Sequence, residues 1–88
     1  MFSKPRPVLI LFDLHQDVVI CRVTSVLRNA TLDVTLDDWQ QAGLLKPSVA
    51  RLDRLITAER SILGRYLGRL TSNDQAAVRT RWNVHMRL

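Results

Sequence analysis

Cysteine, glycine, proline and aromatic residues are all scarce in this chain, and each scarcity closes off a class of protein. A single cysteine among 88 residues excludes an internal disulfide framework and a thiolate metal cluster. Cys21 lies in the apolar run Val18-Val19-Ile20-Cys21, where a reduced thiol is expected to pack as a small hydrophobe, in keeping with a cytoplasmic location. With three glycines and three prolines there is no low-complexity tract or interdomain linker, and no internal repeat is visible. The apolar stretch Val8 to Phe12 stops at Asp13, too soon for a signal-peptide core or a membrane span. No Cys/His set has metal-ligand spacing, and there is no Gly-rich phosphate loop, Ser/His/Asp set or nucleotide-binding fingerprint. What remains is an activity needing neither metal nor cofactor, or none.

What is abundant is positive charge. Thirteen Lys and Arg against eight Asp and Glu give +5 at pH 7, and twelve of the thirteen lie beyond the first five residues, so the charge belongs to the folded domain. Polyanions are the natural partners, either nucleic acid or an acidic protein. A single domain of this length buries only about 60–65% of the surface its unfolded chain exposes, which makes oligomerisation an expected source of stability.

The patterning predicts several short strands and one helix. Val8 to Phe12 and Val18 to Val23, split by the polar turn Asp13 to Asp17, read as a hairpin of buried strands with His15 exposed in the turn. Thr31 to Leu36 alternates polar and apolar, as a strand wet on one face does. Asp37 to Gly43 reads as one helical turn closed by a left-handed glycine. Ser48 to Ala58 reads as extended, and Ser61 to Leu70 as a short helical turn. The clearest helix follows, with Ser72 as N-cap and Val78, Trp82 and His85 on one packing face. Trp39 and Trp82 are expected as core anchors. This is an α+β arrangement whose strands would most simply close into a small barrel.

Candidate chemistry is confined to a few polar positions. Arg51 and Asp53 are two apart on an extended segment and would share a face, within reach of one bound group. A carboxylate there can accept a proton, and guanidinium groups, with Arg6 as a further one, can fork onto phosphate oxygens. Thr24 and Ser25 end the second strand and offer hydroxyls. Each also has a plainer reading: a same-face ion pair, a solvated arm at Arg6, a turn at Thr24-Ser25.

Taken in order, these pieces resemble one family. Lys4-Pro5-Arg6-Pro7-Val8-Leu9-Ile10-Leu11 is similar to the Arg-Pro-apolar strand of MazF/PemK toxins, and Val18 to Ser25 to their apolar strand ending in Thr-Ser. The run Ala42 to Asp53, with Gly43-Leu44, Pro47-Ser48-Val49 and Arg51-Leu52-Asp53, resembles the PemK-like branch, and Leu67-Gly68-Arg69-Leu70-Thr71 resembles the approach to its C-terminal helix. The resemblance implies one toxin domain over residues 1–88, an SH3-like barrel that forms a homodimer, binds a cognate antitoxin and cleaves single-stranded RNA without a metal. It implies acid and base roles for Arg51 and Asp53, phosphate stabilisation or proton donation by Arg6, binding of the scissile region by Thr24, and RNA contacts from Ser25, Arg28, Lys46 and Ser48. The family's usual first strand and its Glu-containing loop have no counterpart before Lys4, so Asp53 would serve as base alone, and the first strand seen here would be an open edge. The alternative expectation is an inactive barrel that only binds an antitoxin-like acidic peptide. A DNA-binding repressor is a weaker third, because no second helix precedes the last one at helix-turn-helix spacing.

Overall fold

Successive residues of a strand face opposite sides of a sheet, so a sheet covered on one face shows its burial as alternation. The computed structural model describes residues 6–27, 30–64 and 66–86. The strands are β1 (Val8–Leu14), β2 (Asp17–Thr24), β3 (Asp33–Leu36) and β4 (Ser48–Glu59), with alternation clearest at the start of β1 and β4 buried in its first half and exposed in its second. They form one antiparallel sheet in the order β1-β2-β4-β3. The extended segments expected from the sequence are all present, and the small barrel is realised as a curled half-barrel with β1 and β3 at its edges.

Curling has a local cause. Cys21 of β2 pairs with Leu55 of β4 while the next residue, Arg22, pairs with Arg51. Leu52, Asp53 and Arg54 are therefore extra residues on β4, a bulge of the kind that bends a strand and re-aims its side chains. A second irregularity sets Leu11 of β1 between Ile10 and Phe12.

One face of the sheet is covered by α1 (Ser72–His85). Cys21, Val23, Val34, Leu36, Ala50 and Leu52 form the core with Val78 of the helix, and Leu9, Leu11, Trp39, Leu70 and Trp82 pack around it. Both tryptophans are thus anchors, and Trp82 meets Phe12 edge to face with ring centroids 5.7 Å apart. Cys21 is a buried free thiol, and burial pushes its pKa from 9.0 up to about 12. Among the described residues no helix is long and apolar enough to cross a membrane.

Two details of the helix differ from expectation. The N-cap is Thr71, whose hydroxyl accepts from the Asp74 amide at 3.3 Å and also donates to the Asp38 carboxylate, a long-range partner that no local pattern predicts. His85, expected on the packing face, is exposed, because Val78 and Trp82 already span the core contact and the last turn runs past it. Asp74, in the first turn, is fully buried. Its two oxygens accept from the amides of Asp37 and Asp38 at 3.0 and 2.9 Å, fastening the segment after β3 to the helix.

That segment, Asp37 to Gly43, is a turn closed by Gly43 with φ +89°, as its glycine predicts. A Cβ on Gly43 would lie 2.2 Å from the Leu67 carbonyl oxygen, and one on Gly68 would lie 2.4 Å from that of Ala42, so the two backbones cross where neither can carry a side chain. Of the segment Ser61 to Leu70, expected as a short helical turn, only Ser61 and Ile62 are helical, in a 3-10 turn over Arg60–Ile62, and the described residues after it are not helical before Ser72. The β1–β2 turn is clamped from that side. Arg60 donates from Nε to the His15 carbonyl at 2.7 Å and from Nη2 to the Asp13 carboxylate. The His15 amide, with Arg60, holds the Asp13 carboxyl below its usual range.

Candidate active site on the open face

The ladder positions not turned to the helix converge on the other face. Strand pairing sets Val8 beside Arg22, Arg22 beside Arg51, Thr24 beside Val49, and Arg51 beside Asp33. Val23 donates its amide to the Pro7 carbonyl at 3.2 Å, which continues the β1–β2 register and brings Arg6 level with Thr24. Three of the four residues singled out from the sequence, Arg6, Thr24 and Arg51, therefore meet at one end of the open face.

Asp53 follows Arg51 along β4. Ala50 and Leu52 are fully buried while Arg51 between them is half-buried, so the alternation of faces runs as far as the bulge. Asp53 sits within the bulge and is exposed.

The Arg51 guanidinium is half structural. Nη2 donates to the Val26 carbonyl at 2.7 Å, and Nε lies 3.7 Å from Oδ1 of the buried Asp33. The Val26 amide in turn donates to Thr24 Oγ1 at 3.1 Å. Val26, in the loop after β2, is thus held through both its amide and its carbonyl by two of the candidate residues. Ser25 is exposed on this loop, while Arg28 lies outside the described residues. Lys46 is exposed, and Ser48 is buried with its hydroxyl donating to the Lys46 carbonyl at 2.8 Å, so Ser48 shapes the turn that presents Lys46.

Two depressions flank the Arg22–Arg51 rung. One, of about 310 Å³, is lined by Leu27, Asp33, Thr35 and Val49. The other, of about 320 Å³, has Arg6, Arg22 and Arg54 around Val8, Ile20 and Ile56. Arg22 was legible in principle, standing two residues before Thr24 and so on its face. Arg54 and Asp33 were not, since the first depends on the bulge and the second on a pairing between distant segments. Among the described residues no three His, Cys, Asp or Glu gather as a metal site. Guanidinium forks beside an exposed carboxylate suit a phosphate ester whose neighbouring hydroxyl must lose a proton.

A curled four-stranded sheet with one helix behind it and a cationic, polar end on its open face defines a class of small α+β proteins. Residues 2–85 match the PemK-like, MazF-like toxins of type II toxin–antitoxin systems, and the chain belongs to that family. Among solved structures it is similar to an Mtb toxin (28% identity, 90% of each chain covered, TM-score 0.78). It is also similar to the Mycobacterium tuberculosis toxin MazF-mt6 (30% identity, 89% of this chain and 83% of that one, TM-score 0.76). A chain of the MazE–MazF structure from Deinococcus radiodurans shares the fold at 23% identity (92% and 84% covered, TM-score 0.72). No curated protein sequence matches significantly.

Proposed function

We propose that the chain is a toxin acting in the cytoplasm as a metal-independent endoribonuclease on single-stranded RNA. The observation that carries this reading is the meeting of Arg6, Thr24 and Arg51 at one end of the open face, with Asp53 in the adjoining bulge. Asp53 takes the proton of a ribose 2′-hydroxyl, and the freed oxygen attacks the adjacent phosphorus. A cyclic phosphate forms, the bond to the 5′-oxygen breaks, and that oxygen is protonated with Arg51 at the acid position. Arg6 forks onto the phosphate and offsets its growing charge. Thr24 holds the scissile region, and Ser25, Arg28 and Lys46 contact flanking RNA, with Ser48 setting the turn beneath Lys46. Two copies pair as a homodimer, and a cognate antitoxin silences the site by occupying it.

A second reading is a barrel that only binds an acidic antitoxin peptide. It is favoured by one observation: two nitrogens of the Arg51 guanidinium already face Val26 and Asp33. Incubating a long single-stranded RNA in EDTA with wild type, Asp53→Asn and Arg51→Lys separates the two. Lysine at position 51 keeps a charge opposite buried Asp33, so the variant tests the fork at constant local charge. Cuts at discrete positions by wild type, lost in both folded variants, support the nuclease. Intact RNA everywhere supports the binding module.

A further inference from the structure

Among the described residues the depression of about 320 Å³ has no acidic lining residue, and none of its three guanidiniums, Arg6, Arg22 and Arg54, forms a hydrogen bond or salt bridge there. Its floor is apolar, with Val8 of β1, Ile20 of β2 and Ile56 of β4. Fork donors around a flat apolar surface match the make-up of a nucleotide, in which a phosphate alternates with a base. The volume is at the lower end of ligand pockets, which run from roughly 300 to 1,000 Å³, so it suits one nucleotide and not a longer segment. Only Lys4 and Lys46 of the thirteen basic residues are lysine, and arginine is the residue whose planar fork meets two phosphate oxygens at once.

We propose that Arg22 and Arg54, with Arg6, form a second nucleotide subsite, which takes a phosphate and base of single-stranded RNA next to the scissile phosphate. The inference rests on the reading of the open face as an RNA-cleaving surface. Arg22 is the register neighbour of Arg51, so a strand leaving the scissile position along β2 runs directly into the depression. Arg54 reaches it because the bulge inserts Leu52, Asp53 and Arg54 opposite a single step of β2. A regular ladder would send its side chain elsewhere. The bulge that carries the proposed base thus also completes the neighbouring subsite.

The test is fluorescence anisotropy of the full chain with an oligonucleotide of 2′-O-methyl riboses, which cannot be cut, over a range of salt. Replacing Arg22 and Arg54 together by glutamine is expected to weaken binding at least tenfold. It should also reduce the slope of log affinity against log salt by about 1.4, two contacts at about 0.7 each for a single strand. The lysine pair should keep most of the slope, and Arg79→Gln on the exposed surface of α1 should keep all of it. Wild-type affinity and slope in a folded glutamine pair would overturn the subsite while leaving cleavage in EDTA, and hence the nuclease reading, intact. Equal losses from Arg79→Gln would overturn it too, since the effect would then be one of overall charge. Should the glutamine pair unfold, lysine and single glutamine variants give the same slope comparison. Failure of wild type to bind or cut RNA would remove both readings together, and capture of an acidic peptide in its place, sensitive to Arg22 and Arg54, would assign the pocket to a protein ligand.

Discussion

The covered and open faces of the sheet are built by the same four strands and differ by one residue of register, yet they obey different rules. On the covered face Cys21, Val23, Ala50 and Leu52 are buried almost without trace of exposure in one apolar cluster with Val78. On the open face Arg22, Thr24, Asp33 and Arg51 stand in the same ladders, and Arg51 Nε is buried without a hydrogen-bond partner. Apolar burial is concentrated on one face and the proposed chemistry on the other, and Arg51 takes part in both through its contacts with Val26 and Asp33. A polar group held off its ideal partner is the kind of compromise found where function competes with folding.

The largest test of that division is Leu52→Ala. Leu52 has no exposed surface, so its truncation should cost about 2–5 kcal/mol, read as a lower urea midpoint at unchanged slope. A much smaller loss would mean that the core repacks around it. Next is Arg51→Ala, which removes the cation from the buried Asp33 and frees the Val26 peptide. It should lose roughly 2–4 kcal/mol of stability as well as RNA cleavage, whereas Asp53→Ala should lose cleavage and keep its midpoint within about 0.5 kcal/mol. If the two variants behaved alike in denaturation, Arg51 would belong to one face only.

Asp74→Asn exchanges a carboxylate accepting two backbone amides for an amide with one acceptor oxygen. It should cost about 1–3 kcal/mol by the same measurement. The effect that vanishes at neutral pH comes last and concerns Cys21, whose folded pKa of about 12 exceeds the ordinary 9.0. A raised pKa contributes stability that is complete below 9.0 and lost towards 12, because the unfolded thiol ionises first. The loss should reach about 1.4 kcal/mol per pH unit, and Cys21→Ala should flatten that part of the alkaline stability curve. Equal slopes in both proteins would show that Cys21 is reached by water.

Much of this was legible in the chain. Two continuous apolar runs give the first hairpin, period-two alternation gives β3, the glycine after Trp39-Gln40-Gln41-Ala42 gives its turn, and parity puts Arg22 and Thr24 on one face of β2. What was not legible depends on partners far apart in sequence. Thr71 displaces Ser72 as N-cap because Asp38 is there to receive its hydroxyl, and Arg81 leaves the solvated side of α1 to donate to the Asp33 carbonyl at 3.2 Å. Arg54 joins the open face only through a bulge, and a bulge has no signature in composition or spacing.

The clasp between Asp74 and the amides of Asp37 and Asp38 has a consequence for how the molecule opens. Those two hydrogens are held by a side chain of another element, not by a strand ladder. Their exchange with solvent therefore clocks the departure of α1 from the sheet and not the fraying of β3. Two protons on a surface turn would report, residue by residue, how often the hydrophobic core is uncovered.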